Sequence, residues 1–232
     1  MKKLVIVPTY NEIENLQLLF PALMSLSEQF DVLIVDDSSP DGTGQFVIAE
    51  SQKNNRIHLL SRPKKEGLGK AYIAGFKWGL ERGYDVLVEM DADFSHRPVD
   101  LDAMLKKMNT EKVVIGSRYV PGGQTVNWGI IRKMISKGGG LYSRLILGFP
   151  LRDWTGGFNC WNREVLQKIN LDSIQSNGYS FQIELKYKAL KNNYSIFEYP
   201  IVFEDRRVGQ SKMSLKIVLE AFYKVWSIRQ SL

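Results

Sequence analysis

The chain has 232 residues, enough for one large α/β domain, and its 44% hydrophobic and 24% charged residues exclude a disordered polypeptide. A formal charge of +6 favours an anionic partner (nucleotide, phospholipid surface or nucleic acid) without choosing among them. The single cysteine, Cys160, excludes an internal disulfide and suits a reducing compartment, and no apolar run reaches the roughly 18 residues that a membrane span needs.

The opening "MKKLVIVPTYNE" imitates a signal peptide, but its apolar stretch ends at Pro8, too early for one. Short runs of Val, Ile and Leu then predict strands at Leu4–Val7, Val32–Val35, Ile57–Leu60, Val86–Met90 and Val113–Gly116. Amphipathic stretches near 13–28, 43–54, 69–82 and 99–109 alternate with them. This βαβα pattern predicts an α/β fold: a mostly parallel sheet with helices on both faces and ligands beyond the carboxyl ends of the strands. Each strand runs into polar punctuation: "PTYNE", "DDSSPDGT", "SRPKKEGLGKA", "DADFSH", "SRYVPGG".

After residue 120 the pattern changes. Residues 121–140 are rich in glycine and polar residues; "DWTGGFNCWNR", a helical stretch near 179–192 and the apolar run "SIFEYPIVF" follow. "EDRRVGQSK" then leads into a final helix from about residue 213. No repeat or low-complexity linker divides the chain, so a single domain over 1–232 with an elaborated second half is expected.

Residues 130–149, "IIRKMISKGGGLYSRLILGF", carry Arg132, Lys133, Lys137 and Arg144 and no acid. Ile131, Met134, Ile135, Leu141, Leu145, Ile146 and Phe149 follow helical spacing, with Gly138–Gly140 as a break. A cationic amphipathic pair of helices for an anionic lipid surface is the reading. The terminal helix has a similar stripe in Leu215, Val218, Leu219, Phe222, Val225 and Trp226.

Asp91 and Asp93 end the fourth strand. In extended backbone, residues i and i+2 share a face with Cα atoms about 6–7 Å apart, so the two carboxylates repel unless they share a cation. Mg²⁺ or Mn²⁺, with oxygen ligands and room for water and phosphate, answers both problems. His96 beside them reads as a packing residue rather than a ligand for a hard ion. Gly67 and Gly69 before the third helix, with Lys64, Lys65 and Lys70, suit either a phosphate or a simple turn.

Taken in order, "VPTYNE", "VDDSSPDGT", "RPKKEGLGKA", "DADFSH", "GSRYVPGG", "DWTGGFNCW", "GYSFQIEL" and "EDRRVGQSK" resemble the polyprenyl-phosphate (dolichol-phosphate) mannosyltransferases among the family-2 glycosyltransferases. The resemblance spans essentially the whole chain. It implies a glycosyltransferase A fold, a divalent metal, GDP-mannose as donor and a polyprenyl phosphate as acceptor. Residues 1–120 would form the nucleotide-sugar half and 121–232 the acceptor half with its interfacial helices.

Residue by residue, the resemblance implies donor contacts from Pro8, Tyr10, Glu12, Val35, Asp37, Lys70, Asp91, Ala92 and Asp93, with Arg206 and Lys212 closing over the pyrophosphate. It sets Asp93 directly on the metal beside Asp91, with Ser95 standing where some relatives have Gln. Arg118, Arg132 and Ser136 would bind the acceptor phosphate. Asp93 and Arg118 are then the catalytic candidates, for a direct inverting displacement. Alternatives are the same transfer from a UDP-sugar such as UDP-glucose, or a non-catalytic membrane-associated nucleotide-sugar-binding subunit. Nucleic-acid binding has no supporting motif. Peripheral attachment at the cytoplasmic face of a membrane, directly or through a membrane-anchoring subunit, completes the expectation.

Overall fold

Side-chain alternation along β1 (Lys3–Thr9) shows how the layers form: Leu4 and Ile6 enter one core, Val5 and Val7 the other, and all four are fully buried. A strand buried on both faces reads as an unbroken apolar run, which is why the sequence shows one. The structure is a computed structural model that describes residues 1–204 and 215–230, residues 215–222 by their backbone alone.

In chain order the further elements are α1 (Ile13–Met24), β2 (Asp31–Asp36), α2 (Thr43–Lys53), β3 (Ile57–Ser61), α3 (Leu68–Glu81), β4 (Val86–Glu89), α4 (Pro98–Lys107) and β5 (Val113–Ser117). Then come β6 (Gln124–Val126), α5 (Ile130–Leu147), β7 (Asn159–Asn162), α6 (Arg163–Lys168), α7 (Tyr179–Lys191), β8 (Phe197–Pro200), β9 (Val202–Glu204) and α8 (Leu215–Gln230). The main sheet has the order β3-β2-β1-β4-β7-β5-β8, and β6 pairs with β9 in a separate two-stranded ribbon. All strands of the main sheet run parallel except β7, which is antiparallel to both β4 and β5.

Both faces carry helices, as expected. On one, α1 (Leu16, Leu19, Phe20, Leu23) and α4 (Leu101, Met104, Leu105) cover Val32, Ile34, Val86 and Val88. On the other, α3 (Ala71, Tyr72, Phe76) and α7 (Phe181, Ile183, Leu185) cover Leu33, Val35 and Leu87. The approach of α3 to the sheet is close, and Gly75 and Gly79 lie where it touches Ile6 and Leu87.

Three expectations are corrected. Residues 130–147 form one helix, not two: Gly138–Gly140 continue it, and the helix stops at Gly148, whose φ of +79° is the left-handed cap that favours glycine. Gly140 is needed for packing, since a Cβ there would sit 3.2 Å from the carbonyl of Arg152. The run "SIFEYPIVF" splits at Ile201 between the two sheets. In α8, Val225 is buried but Trp226, assigned to the same stripe, is 46% exposed, and Ile228 is buried in its stead.

Candidate active site

Because β1, β2, β4 and β5 are parallel, their carboxyl ends share one edge, and the antiparallel β7 begins where they end. The segment leading into β7, "DWTGGF", is thereby drawn onto the same edge. The loops after β1, β2 and β4 each contain a residue with left-handed backbone, Asn11 (φ 60°), Ser38 (φ 56°) and Phe94 (φ 62°). Such geometry is uncommon outside glycine, above all for a bulky Phe, and it concentrates at functional edges.

At the β1–β2 end, Pro8 is half-buried, Tyr10 is exposed with the Lys65 ammonium 3.9 Å from its ring centroid, and Glu12 accepts from the Asn15 amide at 2.6 Å. Asp37 is buried and paired with Arg62 (Nη1 to Oδ1 2.9 Å), whose other nitrogen reaches Glu66 at 3.2 Å. Burial pushes the Asp37 carboxyl up, with Arg62 opposing. Asp36 is held by the hydroxyls of Thr9 (3.0 Å) and Ser39 (2.5 Å), and Asp41 accepts from the backbone of both Ile13 and Thr43 at the starts of α1 and α2. The Val35 side chain belongs to the core beneath α3. Lys70 is exposed beside Glu66. Gly67, with φ +100°, makes the turn into α3, while Gly69 admits the ring of Phe181, 2.9 Å from where a Cβ would stand. The two glycines thus have conformational and packing reasons to be there.

β4 stops at Glu89 and the chain bends from Ala92 to His96, so Asp91 and Asp93 lie in the loop after the strand and not in the extended backbone expected. Asp91 is half-buried, and Ala92, Asp93 and Ser95 are buried. The Tyr72 hydroxyl donates to Asp91 (3.3 Å), and the Ser95 backbone N–H donates to Asp93 (3.1 Å). His96 stacks on Phe158 at 4.7 Å, and its Nδ1 accepts the Asp91 backbone N–H at 3.0 Å. Burial holds the imidazole below its ordinary pKa, and the stacked ring with its occupied Nδ1 is a packing group. The Ser95 hydroxyl is buried with no hydrogen-bond partner among the described residues. An orphaned oxygen beside two carboxylates is a hard-oxygen donor set, and the residues fit Mg²⁺ or Mn²⁺ with water and substrate completing the shell. Among the described residues no group of three His, Cys, Asp or Glu side chains could form a metal cage.

Beneath this edge lies Glu89, the last residue of β4. It is fully buried and accepts from Asn159 (3.1 Å), the Trp161 indole (2.7 Å) and Gln182 (2.5 Å). Burial pushes its carboxyl up and these donors oppose it. Lys186 of α7, also buried, donates to the carbonyls of Asp153, Trp154 and Gly156 (3.2, 3.2 and 2.7 Å) and so fixes the "DWTGGF" loop.

That loop presents Asp153 to Arg118. Nε and Nη2 of Arg118 donate to the two carboxylate oxygens at 2.7 Å each, its backbone N–H adds 3.0 Å, and Nη2 also reaches Thr155 at 2.8 Å. Both side chains are almost wholly buried. The Tyr119 hydroxyl donates to Ser136 of α5 at 2.6 Å, and the Arg132 guanidinium lies 3.9 Å over the Trp128 ring, which also has Arg118 at 5.4 Å. Arg118, Arg132 and Ser136 are therefore brought together. Arg206 and Lys212 lie outside the described residues.

Sequence reasoning missed Arg62, Tyr72, Glu89, Trp128, Asp153 and Lys186. Some carried a readable signal: Glu89 is a charge inside an apolar strand, and Arg62 is the first residue after β3.

The chain matches the family model for glycosyl transferase family 2 over residues 4–170. It is 50% identical to an undecaprenyl-phosphate mannosyltransferase of Micrococcus luteus over 225 residues, 97% of this chain and 93% of that protein. It is 47% identical to a polyprenol monophosphomannose synthase of Mycolicibacterium smegmatis, covering 98% of this chain and 88% of that protein. In fold it is similar to glucosyl-3-phosphoglycerate synthase from Mycobacterium tuberculosis, solved with Mn²⁺, UDP and glucosyl-3-phosphoglycerate (TM-score 0.69, 16% identity, 99% and 79% of the two chains). It is also similar in fold to a mannosyltransferase from Pyrobaculum calidifontis solved with GDP-Man and Mn²⁺ (TM-score 0.59, 15% identity, 99% and 73%).

Proposed function

Because the chain belongs to the polyprenyl-phosphate mannosyltransferases of glycosyltransferase family 2, we propose that it moves mannose from GDP-mannose to a polyprenyl monophosphate with inversion at the anomeric carbon. One observation carries the reading: a carboxylate pair at the end of β4 and a cationic group made by Arg118, Arg132 and Ser136 share one sheet edge. The first suits a metal-bound diphosphate and the second a phosphomonoester.

Asp91, Asp93 and Ser95 would hold a divalent cation, which supplies positive charge to a departing diphosphate. Pro8, Tyr10, Glu12 and Asp37 frame the nucleoside, with Arg62 orienting Asp37. Arg118, Arg132 and Ser136 hold the acceptor phosphate. A phosphomonoester has its second pKa near 6, so its attacking oxygen is anionic at neutral pH and no base has to be supplied. His96, with its Nδ1 occupied and its ring stacked on Phe158, is consistent with that. The bond from mannose C1 to the GDP oxygen breaks as the bond from C1 to the acceptor oxygen forms, and GDP leaves with the electron pair. Arg206 and Lys212 are proposed to neutralise it.

The acceptor is a lipid, and α5 fits a lipid surface. Ile131, Met134, Leu141 and Leu145, spaced as one helical face, are 58–75% exposed, with Lys137 and Arg144 also exposed. Ile146 and Phe149 turn inward against the core. Among the described residues no helix is long and apolar enough to cross a membrane. Peripheral docking through this face is proposed.

The test is a side-by-side assay of GDP-mannose and UDP-glucose with one polyprenyl phosphate, with and without chelator. Chelator-sensitive mannosyl transfer from GDP-mannose is expected. Glucosyl transfer alone would overturn the donor assignment, and a trapped mannosyl-enzyme would overturn direct displacement.

A further inference from the structure

Arg118 lies 5.3–5.4 Å from the rings of Tyr119, Phe203 and Trp128, and the Trp128 ring also carries Arg132. Trp128 follows β6 through Asn127, whose φ of 61° turns the chain, and precedes α5. Its side chain is nine-tenths buried. The ring carries the Arg132 guanidinium at 3.9 Å and the Arg118 guanidinium at 5.4 Å, and Phe203 of β9 meets it edge-on at 5.5 Å. Among the described residues the indole N–H has no hydrogen-bond partner, and ring contacts are what hold it there.

Two guanidinium groups repel each other, and a phosphate cradle needs them close before its ligand arrives. Asp153 compensates Arg118. An indole face attracts a cation through its quadrupole, more strongly the less water intervenes. We infer that Trp128 is the positioning residue of the acceptor-phosphate cradle: one buried ring holds Arg118 and Arg132 in converging positions, so the phosphate meets a preorganised pair of cations.

The inference rests on the acceptor reading above, and the experiment separates the two. Full-length wild type, Trp128→Phe and Trp128→Leu are assayed with GDP-mannose and undecaprenyl phosphate. Trp128→Leu is expected to raise the acceptor KM about tenfold while leaving the donor KM unchanged, and Trp128→Phe, which keeps a ring face, recovers most of the loss. A merely structural residue would move both KM values together. A folded Trp128→Leu protein with wild-type acceptor KM overturns the inference, as does Trp128→Phe behaving no better than Trp128→Leu. Should Trp128→Leu fail to fold, tryptophan emission decides. Undecaprenyl phosphate is expected to change the emission that wild type has and Trp128→Phe lacks, and no such difference overturns the inference. Wild type that neither binds nor mannosylates the lipid phosphate brings down the acceptor reading, and the inference with it; active wild type with silent Trp128 variants brings down the inference alone.

Discussion

Asp153 grips Arg118 by both guanidinium edges and by its backbone N–H, at 2.7, 2.7 and 3.0 Å, where neither side chain is more than 5% exposed. Burial alone would raise the Asp153 carboxyl; Arg118 and its hydrogen bonds outweigh burial and hold it down to about 2. A carboxyl depressed on folding stabilises the native state above its unfolded pKa near 4, and that contribution is lost as pH falls from about 4 towards 2. Asp153→Asn leaves a buried guanidinium uncompensated and is expected to cost roughly 3–5 kcal/mol, read as a lower urea midpoint. Arg118→Met with Asp153→Leu recovers part of that loss, because no charge remains buried, yet does not restore transfer. Restored transfer in that double variant would remove Arg118 from the acceptor site.

Ser95 separates a metal role from a packing role. Its hydroxyl is buried without a partner among the described residues, so deleting it removes a group unsatisfied there. Ser95→Ala is expected to leave the metal-free protein as stable as wild type or more so by up to about 1 kcal/mol, while weakening Mn²⁺ binding in titration calorimetry several-fold. Asp93→Asn is expected to abolish that binding and most turnover. Unchanged Mn²⁺ affinity in both variants would take the ion away from the end of β4.

What could be read in advance follows from physics local to the chain. The first five strands are announced by apolar runs because each is buried on both faces, and their polar punctuation marks the edge where Asp37, Asp91, Asp93 and Arg118 stand. β7 was missed because "NCWN" is polar at both ends, the amide nitrogen of Asn159 donating to Glu89 and Gln182 from elsewhere in the chain. The same holds for the site. Asp153 is 35 residues from Arg118, and Arg62 is 25 from Asp37, so pairing became visible only once the strands were in register. The split of the α5 stripe into an outward and an inward set likewise depends on where α7 and α8 pack, which helical spacing does not contain.

The outward set of α5 makes a prediction of its own. Leu141 and Leu145 are 58% and 71% exposed, so they contribute little to folding. Leu141→Glu with Leu145→Glu is expected to leave the thermal midpoint unchanged and to weaken partitioning onto anionic vesicles more than about tenfold, since each buried Leu is worth about 1.5–3 kcal/mol and the new charges are repelled. Wild-type vesicle binding by the double variant would assign the lipid surface to another face.

Glycine-to-alanine changes in two helices test how the layers are held apart. In α3 a Cβ at Gly75 would stand 2.5 Å from Ile6 Cγ2, and one at Gly79 would stand 2.6 Å from Leu87 Cδ2 and 2.8 Å from Leu4 Cδ2. These neighbours are fully buried in strands and have no room to withdraw, so either substitution forces α3 off the sheet. Overpacking is expected to cost about 1–3 kcal/mol, more than the helix propensity that alanine adds. In α5, a Cβ at Gly139 meets nothing within 4 Å among the described residues. There Gly139→Ala retains only the propensity gain and is expected to stabilise by about 0.5–1 kcal/mol. Urea midpoints of the three variants check the sign: stabilisation by Gly75→Ala or Gly79→Ala would mean that α3 does not lie directly on the sheet, and destabilisation by Gly139→Ala would mean that α5 is broken at its glycines after all.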